Sequence, residues 1–313
     1  MKNPVWVVGA SKMSEDYFKV LVALKKPFEI IARKKKSALS FYKNTGYNIK
    51  IGGVRSNLKS YVPSIAIVAV GVDQLFQVSK DLINAGTKRI LIEKPGSVNL
   101  KEISLLNSLA KKKKTEVLIA YNRRFYSSVS KMKNLIKKDG GIKSTNFEFT
   151  EISKNIDNLK KSKKIKNHWL IANSHVLDLV FHLCGRPKNW KNWHGGKLNW
   201  HPSSARYCGS GITEKGIMFS YLSDWLSPGS WKIEFMTKKN RYILKPMEDL
   251  QMMKLNTFNI VNVRLDNYYD KKFKPGLYQQ TKKFLQRQKK QFCTLSEQVE
   301  NIKIYNKIAG YKV

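Results

Sequence analysis

The chain has 313 residues, 42% of them hydrophobic, which is enough to form the cores of two domains of ordinary size. Its net charge of +37 favours acidic ligands, but 49 of the 59 basic residues are lysines spread along the chain, whereas nucleic-acid readers favour arginine. We therefore expect a biased composition that steers acidic ligands toward the protein, and no nucleic-acid partner.

The cysteines and the N-terminal residues bear on the compartment. Cys184, Cys208 and Cys293 form no short pairing motif, so we expect neither a disulfide framework nor a zinc site, and we predict a cytoplasmic protein. The first apolar strand begins within a few residues of Met1, so we expect no signal peptide. No apolar run approaches the roughly 18 residues of a membrane helix, so we expect no membrane contact.

The first 120 residues alternate predicted strands and helices. The predicted strands cover residues 5–8, 28–32, 65–70, 89–92 and 116–120. Helices are predicted over 14–25 and 100–112, with a third that runs through Leu75 and stops at Gly86. Such alternation predicts a doubly wound parallel sheet, and we assign residues 1–121 to this first α/β domain.

From residue 122 onward the pattern changes. Strands are predicted over 146–150, 216–221, 231–236 and 241–244, and their partial alternation predicts an open, mostly antiparallel sheet with one covered face. The capping box Thr294-Leu295-Ser296-Glu297 opens a helix that runs to Ala309. We assign 122–313 to a second α/β domain and allow for its C-terminal helix to pack back on the first.

The first predicted strand ends in a degenerate dinucleotide motif, Gly9 to Ser14. Only the first glycine of G-x-G-x-x-G is present, because Ser11 and Ser14 replace the other two. A helix N-terminus attracts anions and serine can donate to phosphate, so we predict a pyrophosphate site here; the alternative is a plain strand–helix turn. The residues predicted to form it are Gly9, Ser11, Lys12 and Met13.

The end of the second predicted strand bears on the choice of cofactor. NAD sites usually carry a carboxylate there for the ribose hydroxyl. This chain has Arg33 and Lys34 instead, which can hold a 2′-phosphate. We therefore predict NADP in preference to NAD; the alternative is that these residues are only a solvated helix start.

The strand over 89–92 runs into Glu93-Lys94-Pro95. Open α/β sheets bind ligands at the carboxyl ends of their parallel strands, so Lys94 is placed for chemistry. The alternative is that Lys94 is one more lysine in a lysine-rich chain.

All five histidines fall between positions 168 and 201, and residues 167 to 187 contain no lysine. A predicted helix in this window places His175, Asp178 and His182 on one side, with Asp178 and His182 four residues apart. Exceptions to a chain's local rules cluster at functional sites. The alternatives are a solvated polar face and a metal site; nothing nearby supplies a further ligand, so we expect no metal.

With Glu93-Lys94-Pro95, the Asp178-x-x-x-His182 helix and the segment Tyr121 to Phe125, the chain resembles the glucose–fructose oxidoreductase, inositol 2-dehydrogenase and rhizopine catabolism (Gfo/Idh/MocA) family of NAD(P)-dependent sugar oxidoreductases. The resemblance covers nearly the whole chain. It implies a Rossmann domain followed by an α/β domain with an open sheet. The altered glycine motif is the main departure from the family pattern.

The resemblance also implies roles for individual residues. Lys94 contacts the substrate hydroxyl and the nicotinamide, His182 acts as general acid and base, and Asp178 positions His182. Independently of the family, a histidine suits removal of a hydroxyl proton as hydride leaves carbon. The further cofactor contacts that we predict are Gly71, Val72, Glu93 and Asn122. The substrate contacts that we predict are Tyr121, Arg123, Arg124, Trp169 and His175.

The substrate is predicted more coarsely than the reaction. Arg123, Arg124 and the net charge favour a phosphorylated or nucleotide-linked sugar. By resemblance we expect a homodimer or homotetramer. Three other functions stay open: a glycosidase that uses bound NAD transiently, a non-catalytic dinucleotide-binding regulator of the same fold, and a nucleic-acid-binding protein suggested by charge alone.

Overall fold

A computed structural model describes residues 3–312, and these divide into two compact units. The first unit comprises the residues through Asn122 together with Lys271–Ile302. The second comprises Arg123–Asp270 and the residues from Lys303 onward. From the sequence we predicted one domain over 122–313, with its C-terminal helix allowed to pack back on the first; residues 271–302, which include the first part of that helix, belong to the first unit.

The N-terminal part of the first unit alternates strands and helices as predicted. Its elements are β1 (Val5–Val8), α1 (Lys12–Ala23), β2 (Phe28–Ile31), α2 (Lys35–Thr45), α3 (Gly53–Asn57), β3 (Ile65–Val68), α4 (Val72–Ala85), β4 (Arg89–Glu93), α5 (Leu100–Lys112) and β5 (Glu116–Ala120). A 3₁₀ helix over Asn122–Phe125 follows.

The first α-helix of the second unit is α6, and this unit contains most of the remaining elements. They are α6 (Ser127–Lys138), β6 (Ser144–Phe149), α7 (Ser153–Asp157), α8 (Lys163–Asn167), α9 (Trp169–Ala172), α10 (His175–Cys184), β7 (Pro187–Gly195), β8 (Arg206–Thr213), β9 (Met218–Asp224), β10 (Trp231–Met236), β11 (Asn240–Leu244), β12 (Gln251–Lys254) and β13 (Ile260–Asn262). The chain ends with α11 (Tyr268–Lys272), α12 (Leu277–Leu285), β14 (Cys293–Thr294) and α13 (Leu295–Ala309).

The first unit is a doubly wound sheet with strand order β14-β5-β4-β3-β1-β2. Five strands are parallel, and only β14 pairs antiparallel, on β5. All four residues of β1 are buried, as expected of a strand that helices cover on both faces. Residues 271–302 join this unit because β14 extends the sheet and the buried Phe284 of α12 contacts Arg89 of β4.

The second unit is built on an eight-stranded sheet with strand order β13-β12-β11-β10-β6-β9-β8-β7. Neighbouring strands are antiparallel except for β6 and β9, which pair in parallel. Burial alternates along β6, so one face of the sheet is covered. Helix α10 packs on that face, where Phe181 meets Phe147 at a ring-centroid distance of 5.9 Å. The predicted fold class is therefore confirmed.

Three observations complete the fold. No helix within residues 3–312 is long and apolar enough to cross a membrane. Cys184, Cys208 and Cys293, all within the described residues, form no disulfide. At the predicted capping box that opens α13, the backbone N–H of Glu297 donates to Oγ1 of Thr294 over 3.1 Å.

Candidate dinucleotide and acid–base sites

The turn between β1 and α1 requires glycine at its first position. Gly9 has φ +128°, and a Cβ there would lie 2.4 Å from the carbonyl oxygen of Ala69. The serines that replace the other two glycines of the motif face the same carbonyl: the Ser11 hydroxyl donates to it over 3.2 Å, and the Ser14 hydroxyl lies 3.5 Å away. The degenerate motif therefore keeps the glycine of the tight turn, and its two serines pack against the end of β3.

A cavity of about 320 Å³ opens beside this turn, within the first unit. Predicted cofactor residues that line it are Gly9, Ser11, Arg33, Lys34 and Gly71. Lys12, Met13 and Val72 follow lining residues in sequence but do not themselves line the cavity. Its volume is in the range of small-molecule sites, about 300–1,000 Å³. The tight turn at Gly9 and the N-terminus of α1 together fit a dinucleotide pyrophosphate.

The cavity is basic where the second predicted strand ends. Arg33 and Lys34 are exposed at its lining, and Ser37 of α2 joins them. The side chains of the following lysines, Lys35 and Lys36, are exposed but do not line the cavity. None of the described residues that line the cavity carries a carboxylate.

The carboxyl end of β4 holds Glu93 and Lys94 as half-buried side chains. The Tyr17 hydroxyl donates to the Glu93 carboxylate over 2.7 Å. Burial raises the pKa of Glu93, while Tyr17, Lys94 and Lys274 oppose that rise. Glu93 thus lies near two ammonium groups and a phenol at the carboxyl end of β4, where the sequence predicts the catalytic Lys94.

Two contacts that the sequence did not indicate surround this strand end. The side-chain amide of Gln298, on α13, donates to the Pro95 carbonyl over 3.0 Å and to the Tyr121 hydroxyl over 3.1 Å. The ammonium of Lys274 lies 2.8 Å from Met13 Sδ. Only the capping box that opens α13 signalled this helix, and nothing in the sequence tied it to Pro95.

Asn122 and Tyr121 follow β5 in the first unit. The Asn122 amide donates to the carbonyl oxygen of Pro275 over 3.0 Å, so Asn122 is tied to the segment that carries Lys274. The ring of Tyr121 is fully buried. Its predicted contact with substrate stays a prediction.

Helix α10 carries the predicted acid–base residues of the second unit. It spans His175–Cys184, and Gly185 ends it with φ +83°. His175 and Asp178 are buried, with 5% and 1% of their surface exposed. The alternative of a polar face in water is therefore wrong for this helix.

Asp178 is held by a buried arginine. Nε of Arg124 donates to Oδ2 of Asp178 over 2.8 Å, and a terminal nitrogen donates to Oδ1 over 2.6 Å. Both side chains are essentially inaccessible to solvent. From the sequence we predicted that Arg124 contacts the substrate, whereas its guanidinium binds Asp178.

His182 lies near the other end of α10 and is half-buried. Burial lowers its pKa to about 3, and the positive charges of Arg124, Lys133 and Lys215 act in the same direction. The imidazole is therefore neutral across the physiological range and can accept a proton. Lys94 belongs to the first unit and His182 to the second, so their meeting at one substrate stays a prediction.

The remaining predicted substrate residues lie in the second unit. The Arg123 guanidinium lies 4.7 Å from the ring centre of Trp231, and the same ring lies 6.0 Å from that of His175. Trp169 packs edge-on against Trp200 at 6.4 Å. Thus Arg123 and His175 share one aromatic neighbour, whereas Trp169 contacts a different cluster. Across residues 3–312, no group of three or more His, Cys, Asp or Glu side chains is arranged to hold a metal ion.

Comparison with known families identifies the first domain. Residues 4–121 match the model of GFO_IDH_MocA, the oxidoreductase family with an NAD-binding Rossmann fold, so the resemblance seen in the sequence is confirmed for the first domain. No curated protein matches the chain.

Solved structures share the fold over nearly the whole chain. A levoglucosan dehydrogenase in complex with NADH and L-sorbose has a TM-score of 0.79 at 14% identity, covering 99% of this chain and 96% of that one. UDP-N-acetylglucosamine 3-dehydrogenase from Acidithiobacillus ferrooxidans has a TM-score of 0.75 at 12% identity, covering 99% and 97%. An oxidoreductase from Agrobacterium radiobacter, in complex with NAD+, L-tartaric acid and magnesium, has a TM-score of 0.78 at 10% identity, covering 98% and 95%.

Proposed function

We propose, from the premise that residues 4–121 form the NAD-binding Rossmann domain of a Gfo/Idh/MocA oxidoreductase, that this chain transfers hydride between a nicotinamide cofactor and a hydroxyl or keto group of a sugar or nucleotide sugar. The observation that carries the proposal is the cavity at the β1–α1 turn, where the tight turn at Gly9 fits a dinucleotide. Two structural neighbours are named as dehydrogenases of levoglucosan and of UDP-N-acetylglucosamine, which supports a sugar as the substrate class.

The catalytic roles follow from the charges of the side chains. When bound, the cofactor supplies the hydride acceptor or donor. Lys94 offers a fixed ammonium to the alkoxide charge that develops as hydride leaves carbon. His182 is the proposed acceptor of the hydroxyl proton; burial lowers its pKa, so the imidazole is neutral before the transfer, and Asp178 orients the helix that carries it.

We infer that NADP is preferred to NAD. Arg33 and Lys34 line the cavity where NAD sites usually carry a carboxylate, and two cations there suit a 2′-phosphate. A cytoplasmic location and a homodimeric or homotetrameric state remain predictions from the sequence.

The test is a screen of free sugars and nucleotide sugars with NADP and NAD, in which formation of reduced cofactor is followed by absorbance. We expect net reduction with at least one sugar, and a loss of kcat of about 10²–10³-fold in Lys94→Ala, because one charge-stabilising donor is removed. Lys88→Ala is the matched control, since Lys88 is an exposed lysine at the opposite end of β4.

Two results would contradict the proposal. Undiminished turnover in Lys94→Ala would remove Lys94 from the chemistry. Cofactor binding without net reduction by any sugar would favour a glycosidase that uses bound NAD transiently, or a non-catalytic regulator.

A further inference from the structure

A second cleft, of about 370 Å³, lies wholly within the second unit, where β10 begins and β11 ends. It is lined by Arg123, Ser230, Trp231, Lys245, Pro246, Met247 and Glu248. Its volume is in the range of small-molecule sites, about 300–1,000 Å³. Of these residues only Arg123 has been assigned a role above.

Arg123 is held in the cleft by aromatic rings and not by carboxylates. Its guanidinium lies 4.7 Å from the ring centre of Trp231 and 5.8 Å from that of Tyr126. Its Nε is buried and makes no hydrogen bond with any of residues 3–312. Burial lowers the pKa of Arg123, and Tyr126, Glu248 and Glu151 only oppose this from a distance. A buried donor left unsatisfied in this way calls for a partner.

The other polar groups of the cleft favour an anion as that partner. The Ser230 hydroxyl is also buried without a hydrogen-bond partner among the described residues. Lys245 adds an exposed ammonium. The one carboxylate, Glu248, already accepts from the Tyr126 hydroxyl at 3.3 Å. Two cations and a free hydroxyl thus line the cleft with a single carboxylate that is engaged elsewhere.

The position of the cleft relates it to helix α10. Trp231, which lines the cleft, neighbours His175 at the start of α10, and His182 follows seven residues later in the same unit. Seven residues of α-helix span roughly 10 Å. The cleft therefore lies beside the start of α10, and His182 stands about two helical turns further along the same helix.

We propose that this cleft binds an anionic group, a carboxylate or a phosphate, carried by the substrate away from the carbon that is oxidised. That the bound molecule is the substrate rests on the proposed function, whereas binding of an anion in the cleft does not. Arg123 supplies the desolvated cation, Ser230 a hydroxyl donor and Lys245 a second charge at the opening. The cleft then selects acidic sugars over neutral ones.

Isothermal titration calorimetry of the full chain tests the proposal with three probes: D-glucuronate, D-glucose 6-phosphate and D-glucose. We expect at least one of the two acids to bind at least tenfold more tightly than glucose. The acid that binds more tightly identifies the group as carboxylate or phosphate. Equal affinity for all three probes, or binding of none, overturns the proposal.

Variants locate the binding. Arg123→Gln is expected to weaken binding of the preferred acid at least tenfold, and Lys245→Gln severalfold, with glucose binding unchanged in both. Arg241→Gln is the matched control, because Arg241 is an exposed arginine of β11 outside the cleft and its removal changes the net charge equally. If Arg241→Gln weakens acid binding as much as Lys245→Gln, the overall charge and not the cleft attracts the acid, and the proposal fails.

Two further measurements keep the outcomes separate. If Arg123→Gln does not fold, Lys245→Gln carries the test, and unchanged acid affinity in that variant overturns the proposal. His182→Ala is expected to retain acid binding, because the cleft does not include His182. Acid binding together with failure to bind either dinucleotide would refute the proposed function while leaving the anion site in place.

Discussion

At the scale of single residues, the buried ion pair between Arg124 and Asp178 fixes the position of α10. Both carboxylate oxygens of Asp178 accept from the guanidinium, in a bidentate geometry that fixes orientation as well as charge. Buried charges are tolerated only when paired in this way. The pair anchors α10 to the 3₁₀ helix, and so holds the backbone from which His182 projects.

Removal of Arg124 is therefore expected to lower the free energy of unfolding by much more than removal of a surface arginine does. Arg124→Gln leaves the Asp178 carboxylate buried without its guanidinium, which should lower the free energy of unfolding by about 3–5 kcal/mol. The double variant Arg124→Gln with Asp178→Asn removes both charges and should recover part of that loss. Urea denaturation of the parent, both single variants and the double variant measures the coupling. A loss below about 1 kcal/mol in Arg124→Gln would contradict the structure of the pair.

The sequence revealed only half of this arrangement. Asp178 and His182 stand four residues apart, and helical periodicity alone put them on one side of a helix. Arg124 lies 54 residues earlier, and no period links it to Asp178. Arg123 and Arg124 are adjacent, and the sequence does not distinguish them. In the structure Arg124 is buried and binds Asp178, whereas Arg123 lies against the ring of Trp231. Tertiary packing alone separates their roles.

At the scale of elements, the proposed preference for NADP depends on the turn from β2 into α2. Arg33 and Lys34 line the dinucleotide cavity, whereas Lys35 and Lys36 do not, although all four belong to one basic run. The sequence alone does not distinguish the residues that line the cavity from those that do not. Variants of Arg33 and Lys34, compared with variants of Lys35 and Lys36, can therefore distinguish a phosphate site from a solvated helix start.

We expect the parent to bind NADPH more tightly than NADH, and the double variant Arg33→Ser with Lys34→Ser to lose at least tenfold in NADPH affinity with little change for NADH. Fluorescence titration of the reduced cofactors measures both constants. The control, Lys35→Ser with Lys36→Ser, removes the same number of charges from the same helix start and should leave the preference unchanged. Tighter NADH binding by the parent would show that the preference for NADP is wrong.

The two sheets differed in how far their elements could be predicted. The strands of the first sheet are short apolar runs between helices, and β5 and α5 fall at their predicted positions. In the second sheet, β10 was predicted with its observed bounds, but β7 and β8 were missed. Burial along β7 does not follow a clean alternation, and its Trp193 is exposed, so the period of two that identifies a half-buried strand is absent.

At the scale of the whole molecule, acid stability depends on histidines that fold in a neutral form. His201 is fully buried in the second unit. Its Nδ1 donates to the Ser204 carbonyl, so Nε2 accepts from the Tyr311 hydroxyl at 2.6 Å, and that hydroxyl accepts from the Leu170 amide at 3.2 Å. Protonation would convert Nε2 from the acceptor of the Tyr311 hydroxyl into a donor that faces this hydroxyl. The network therefore favours the neutral imidazole.

The consequence is a loss of stability on acidification. Burial lowers the pKa of His201 to about 4, whereas an unfolded histidine titrates near 6.5. The unfolded chain therefore binds more protons below pH 6.5, and the stabilising contribution of neutral His201 is lost progressively as pH falls from 6.5 to about 4. Between pH 7 and pH 5 this residue alone should remove roughly 2 kcal/mol from the free energy of unfolding.

Urea denaturation at pH 7 and pH 5 measures that loss through tryptophan fluorescence, which reports mainly on the second unit because six of the seven tryptophans follow position 160. His201→Gln should be less stable than the parent at pH 7, but its loss between pH 7 and pH 5 should be smaller by roughly 2 kcal/mol, since the titrating group is gone. His194→Gln, which removes an exposed histidine of β7, is the control for a general effect of histidine removal. If the pH dependence of His201→Gln equals that of the parent, the neutral-histidine network does not govern acid stability, and the loss must come from other groups such as His182, whose pKa is also lowered by burial.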